Sequence, residues 1–212
     1  MNTAITKSKL IPNMAYAQVA SEVQIERVVQ ALQANNIHVV VTDNGEAAKA
    51  KLFEIIPPGA EVFTGLSVTL DTLGIPAEIN QRYDSVRAKL DALDPQTQMH
   101  ARNKLGATPE YIVGSVHAVT EDGAVIIASG SGNQLAGYAA GAAHVIWLVG
   151  AQKIVPNLDE AMKRVHEYSY PLEDERMLRT MGRNAHLAKL LIVRGDMPGR
   201  ITMILMKENL GF

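Results

Sequence analysis

Apolar and polar positions change their period several times along the chain. Over residues 15–34 the apolar residues Val19, Val23, Ile25, Val28, Val29 and Leu32 recur close to the helical period, which predicts a helix with one buried stripe. Residues 37–42 are a β-branched run between Asn35-Asn36 and Asp43-Asn44-Gly45, hence a strand. Residues 46–56 return to helical composition until Pro57-Pro58-Gly59 stops them. Residues 61–64 predict a short strand, and Ser67 opens a short helix that ends at the Gly74-Ile75-Pro76 break.

The second half is more regular. Residues 111–120 and 124–129 are apolar runs on either side of Glu121-Asp122-Gly123 and predict neighbouring strands joined by a tight turn. Residues 133–141 are Ala-rich and helical, 144–149 form a fully apolar strand, and Pro156-Asn157 introduces an amphipathic helix over 158–168. Final strands at 190–193 and 201–206 flank the turn Gly195-Asp196-Met197-Pro198-Gly199. Alternating strands and helices imply an α/β fold: a mainly parallel sheet flanked by helices, with a locally antiparallel portion. The polar stretch from Asn80 to Arg102 reads as an excursion, spanning about residues 80–105, within a single domain over 1–212.

Composition narrows the function classes. At 47% hydrophobic and 20% charged residues the chain carries too much apolar surface to stay disordered, and a net charge of −2 supplies no field for nucleic acid or an anionic membrane. Without cysteine there are no disulfides, thiolate nucleophiles or Cys-bound metal clusters on this chain. Residues 1–12 hold lysines but no apolar core of signal-peptide length, so a soluble cytoplasmic protein is expected. The six histidines lack the i, i+4 spacing of a helical metal site, and no metal is expected.

In parallel sheets ligands bind where loops follow the carboxyl ends of strands, and three loops carry suitable chemistry. In the first, Gly65 permits a sharp turn and Ser67 and Thr69 offer hydroxyls and helix-terminal amides to phosphate or carboxylate. The second, Ser129, Gly130, Ser131, Gly132 and Asn133, is the densest cluster of glycine and serine. Leu135 stands where a dinucleotide fingerprint needs its third glycine and no Walker lysine follows, so nicotinamide and ATP sites are unsupported and no particular cofactor is indicated. The third places Glu121 at a turn, as a general base, an acyl nucleophile or simply a solvated hairpin residue, Asp-Gly being a favoured turn pair. His117 lies on the strand before it. Arg176, Arg179, Arg183 and His186 would share a face if residues 173–188 were helical, either solvated or meeting an anion or partner. Met197, Met203 and Met206 suit core or interface filling.

Several ordered blocks resemble a known family: Ser129-Gly-Ser-Gly-Asn-Gln, Val145-Ile-Trp-Leu-Val-Gly with Lys153-Ile-Val, Asp159-Glu-Ala-Met-Lys-Arg, Pro171-Leu-Glu-Asp-Glu-Arg, and the ending from Arg200. With Gly65-Leu-Ser-Val-Thr-Leu-Asp-Thr-Leu-Gly-Ile they resemble the LUD-domain family, the lactate-utilization proteins. That resemblance implies a fold similar to glucosamine-phosphate deaminase, ribose-phosphate isomerase and coenzyme A transferase. In that group the first strand-to-helix loop holds phosphate or carboxylate, matching Gly65, Ser67 and Thr69. Its coenzyme A transferases carry Ser-Glu-x-Gly with a nucleophilic glutamate, to which Thr120-Glu121-Asp122-Gly123 is similar except for Thr in place of Ser. Many related members carry a cysteine cluster that this chain lacks, so redox chemistry is not implied for this polypeptide.

Two functions follow. One is binding of a small anionic ligand (an organic acid, a sugar phosphate or a coenzyme A thioester) at the carboxyl edge, with Gly65, Ser67, Glu121 and residues 130–133 around one concavity. The other is a non-catalytic assembly or regulatory subunit beside an iron–sulfur partner protein, met by the Arg176 to His186 face. A homo-oligomer is also expected, from the small residues of 135–143 and the Met-rich end.

Overall fold

The computed structural model describes residues 10–212; of the opening segment 1–12 read above, residues 1–9 lie outside the described residues. After a 3-10 turn at Met14–Ala17, helix α1 (Glu22–Ala34) begins later than the apolar pattern suggests. The cause is local. The Ser21 hydroxyl accepts the Gln24 N–H while the Gln24 side chain accepts the Ser21 N–H, a reciprocal cap that sets the first turn. Ile25, Val28 and Leu32 are buried, whereas Val23, about 200° around the helix from Ile25, is exposed, as is Val19 ahead of the cap.

Strand β1 (His38–Thr42), helix α2 (Gly45–Ile55), strand β2 (Glu61–Thr64) and helix α3 (Val68–Thr72) follow. The Gly74 break separates two helices rather than ending one: Gly74 is left-handed, and Pro76 sits in the first turn of α4 (Ile75–Arg82), where no N–H is needed. The polar stretch is folded into the domain as β3 (Asp84–Ser85), α5 (Val86–Asp91) and α6 (Met99–Ala107), with β3 pairing against β2. Then come β4 (Tyr111–Gly114), β5 (Ala118–Thr120), β6 (Val125–Ser129), β7 (His144–Gly150), β8 (Ile154–Val155), α7 (Leu158–Arg164), α8 (Tyr170–Met181), β9 (Lys189–Val193) and β10 (Ile201–Met206).

Six strands in the order β1-β10-β7-β4-β2-β3 form one wholly parallel sheet. Its middle strands read as unbroken apolar runs because both faces are covered. From β7, Val145, Trp147 and Val149 enter one core while Ile146 and Leu148 enter the other, and β10 divides Met203 from Met206 in the same way. Those two methionines are core; Met197 is exposed. One face is covered by α2, α3 and α4 through Ala48, Leu52, Leu70, Ile75 and Ile79. The other is covered by α1 and a second sheet, β8-β5-β6-β9, whose Val119, Val125, Ile127 and Val193 join the first core.

Residues 111–120 therefore form two strands rather than one. β4 belongs to the parallel sheet, Ser115 to His117 make the crossing, and β5 pairs antiparallel with β6 around the expected Glu121-Asp122-Gly123 turn. The far side of this second sheet packs on Ala161 of α7 and on Val165, which follows it. Helix α8 stops at left-handed Gly182, which leaves Arg183 and His186 outside it and removes the expected four-residue helical face. Among the described residues no helix is long and apolar enough to cross a membrane.

Candidate functional site

Because all strands of the main sheet run the same way, the segments leaving β2, β4, β7 and β10 meet at one edge. Three side chains converge there: Thr69 on α3, Ser115 after β4 and Lys153 after β7. Lys153 Nζ donates to Ser115 Oγ at 3.0 Å and to Thr69 Oγ1 at 3.2 Å. Thr69 Oγ1 lies 3.3 Å from both Ser115 Oγ and the Leu210 carbonyl oxygen, and Ser115 Oγ donates to the Leu148 carbonyl at 2.7 Å. The segment after β10 closes over this cluster, held by Gln152 Nε2, which donates to the Leu210 and Gly211 carbonyls at 3.0 Å each.

Lys153 is 1% exposed, and among the described residues no carboxylate pairs with it. Burial, reinforced by the like charge of Arg164, pushes its pKa well below the usual lysine value. Arg164 is itself fully buried. Its Nε donates to the Gln152 carbonyl at 3.3 Å and its Nη1 to the His117 carbonyl and, at 3.0 Å, to Ser169 Oγ; the guanidinium lies 4.9 Å from the Tyr168 ring centre. Among the described residues Nη2 finds no hydrogen-bond partner, and burial lowers the guanidinium pKa to about 10. Arg164 thus ties the loop after β4 to the loop after β7, the two loops that carry Ser115 and Lys153. His117 retains some surface, but its ring is enclosed. Nδ1 accepts the Ala128 N–H at 3.1 Å, and burial, then the charges of Lys153 and Arg164, push its pKa down to about 3. The ring is neutral, with its proton on Nε2.

Of the loops expected to bind a ligand, the first contributes directly. Gly65 continues the pairing of β2 with β4 through its N–H to the Val113 carbonyl, Ser67 occupies the N-cap position of α3 without a side-chain cap bond, and Thr69 enters the cluster. The second loop lies beside it, since Gln134 and the Tyr138 hydroxyl flank Gly65. Its hydroxyls are used internally: Ser129 Oγ accepts the Gly132 N–H at 2.9 Å and donates to Gln134, while Ser131 Oγ accepts the Asn133 N–H. Gly130 packs on the His186 carbonyl and Gly132 on the Lys189 side chain.

The Glu121 side chain is engaged by α1. Its carboxylate accepts Gln24 Nε2 at 3.2 Å and Arg27 Nη1 at 3.4 Å, and its N–H donates to Val155. Gly123 of the same turn packs on Ala31 and Asn35, at the end of α1 that leads to the amino end of β1. The turn therefore lies along α1, with the Glu121 carboxylate on the first turns of the helix, next to Ala20, whose N–H donates to the Ala151 carbonyl after β7, and Gly123 at its far end. Among the described residues no group of His, Asp and Glu has the arrangement to hold a metal ion.

Ser115, Lys153 and Arg164 carry no motif that marks them as site residues, although Lys153 has one local signal: it lies between Ala151-Gln152 and the apolar pair Ile154-Val155, all of them buried.

Comparison with known proteins agrees with this architecture. A crystal structure of a DUF162 family protein from Deinococcus radiodurans is similar over 89% of this chain and 99% of that one, with a TM-score of 0.55 at 10% sequence identity, a likeness of fold. A search among curated proteins finds no match. The LUD domain model matches residues 25–206, from the first buried turn of α1 to the end of β10, and the chain belongs to the LUD-domain family.

Proposed function

We propose that the chain binds a small anionic ligand at the carboxyl edge of its parallel sheet: an organic acid, a sugar phosphate or a coenzyme A thioester. The observation that carries this reading is Lys153, a buried amine held by two hydroxyls and, among the described residues, with no carboxylate to balance it. An arriving anion would meet the buried positive charge of Arg164 beside Lys153 and find hydrogen-bond donors in Thr69, Ser115 and the amine itself. The family's link to lactate utilization makes small hydroxy and keto acids the first to test.

Thermal denaturation in the presence of lactate, pyruvate, ribose 5-phosphate and acetyl-coenzyme A tests the proposal. One class should raise the melting temperature in a concentration-dependent way, and Lys153→Met should abolish the rise. If none does, ligand binding fails and an assembly role beside an iron–sulfur protein becomes the better reading. Self-association is a separate proposal, supported by exposed Leu190 and Ile192 on β9 at the edge of the second sheet; light scattering that returns a monomer mass would reject it.

A further inference from the structure

We propose that Ser115 is the nucleophile of an acyl-transfer reaction and Lys153 the base that takes its proton, with an activated carboxylic ester or thioester as substrate. This rests on the ligand site proposed above and adds chemistry to it. The Nζ to Oγ separation of 3.0 Å is within direct proton-transfer reach. Lysine serves as a base only when neutral, and among the described residues a sealed amine without a carboxylate partner, beside a second buried cation, is pushed toward that form. Exposure divides between the pair in the sense the reaction requires: Ser115 keeps part of its surface, where a substrate can reach it, while Lys153 is closed off from water.

The surroundings favour the same assignment. Thr69 Oγ1, 3.2 Å from Nζ, orients the amine, and the Leu148 carbonyl holds the Ser115 hydroxyl until it turns to Nζ. Arg164 fixes both loops by bonding the His117 and Gln152 carbonyls. His117 is no competitor as base, because its Nδ1 is engaged by the Ala128 N–H and its pKa is depressed.

The step balances without redox chemistry. Ser115 Oγ attacks the acyl carbon, the Oγ–C bond forms, the carbonyl π pair moves to oxygen, and the hydroxyl proton passes to Nζ. Collapse re-forms the carbonyl and breaks the bond to the alcohol or thiol, which leaves with the proton from Nζ. Water then attacks the acyl-serine, giving its proton to Nζ, and the regenerated serine takes that proton back as the acid departs. An acceptor alcohol or amine in place of water would make the same site a transferase.

The full-length protein incubated with p-nitrophenyl acetate should release a burst of nitrophenolate and gain a single acetyl group, which peptide mapping should place on Ser115. Ser115→Ala and Lys153→Met should each lower the acylation rate by about 100-fold or more. Lys153→Arg, which keeps a cation but cannot act as a base, should do likewise and covers the case in which the methionine variant does not fold. The wild-type rate should rise with pH through one ionisation well below that of ordinary lysine. Acetyl groups found only on lysines, or equal rates in the Lys153 variants and the wild type, would overturn the assignment. A melting-temperature rise with an organic acid but no acylation of Ser115 would sink this inference and leave the binding site standing; acylation without any such rise would do the reverse.

Discussion

Gly211 lies flat against Thr69, so that a Cβ at position 211 would overlap the Thr69 hydroxyl and come within 2.9 Å of its backbone nitrogen. Its φ of +68° is also one that side chains disfavour. The last turn of the chain is thereby pressed onto the residue that orients Lys153. Gly211→Ala should lower unfolding free energy by about 1–3 kcal/mol. Gly199→Ala provides the control: φ is +83° with nothing within 4 Å, so it should cost only the backbone contribution, about 1 kcal/mol. Urea denaturation of both variants makes the comparison, and equal losses would show that contact with Thr69 adds nothing.

Arg164 bridges two loops through a planar fork that lysine cannot reproduce. Arg164→Lys should destabilise the protein by about 1–3 kcal/mol, since at least one buried carbonyl loses its donor. It should also lower Ser115 acylation beyond what stability explains, measured at a temperature where the variant is fully folded by circular dichroism. A variant as stable as the wild type would remove the bridging role.

His117 makes stability depend on pH in a defined window. Its folded pKa is about 3 against an ordinary 6.5, so between those values the unfolded chain binds a proton that the folded one refuses. Stability from this group is therefore complete above about pH 6.5 and declines as the pH falls toward 3, with a slope approaching 1.4 kcal/mol per pH unit at most, about one proton's worth. His117→Asn keeps an acceptor for the Ala128 N–H but does not titrate. Denaturation between pH 4 and pH 7 should show a shallower slope in this variant, and identical slopes would contradict the enclosure of the ring.

Glu121 faces Arg27, whose side chain is 63% exposed, so their ion pair is weak. Glu121→Gln should change stability by less than about 1 kcal/mol and leave both the ligand-induced melting shift and Ser115 acylation unaltered. Loss of either would bring Glu121 back into the chemistry, as a nucleophile or base acting from the second sheet.

Much of the architecture is legible in local pattern. The β-branched and apolar runs at 37–42, 61–64, 144–149 and 201–206 are strands because residues buried on both faces must be apolar throughout, and that constraint is visible one residue at a time. The Glu121-Asp122-Gly123 hairpin is equally local: Gly123 supplies φ of +84° and the Thr120 hydroxyl accepts the Ala124 N–H. The run 111–120 misled because its composition does not change where the chain leaves one sheet for another; the crossing at Ser115 to His117 exists only because two sheets stack on α1.

Local pattern dictates the alternation of strands and helices, the parallel sheet this implies, and the edge at which its loops gather. Which side chains meet at that edge was decided by tertiary structure. Thr69, Ser115 and Lys153 are separated by 46 and 38 positions and lie in the segments that follow three different strands, so no spacing rule connects them. Strand order brings their loops together, and burial then changes the chemistry of the residues it gathers. Lys153 is an ordinary cation on paper; enclosed beside Arg164, with hydroxyls as its partners, its pKa is pushed well below the usual lysine value. Glu121, by contrast, is held by Gln24 and Arg27 of α1, partners that lie 97 and 94 positions away and that only the packing of the second sheet supplies.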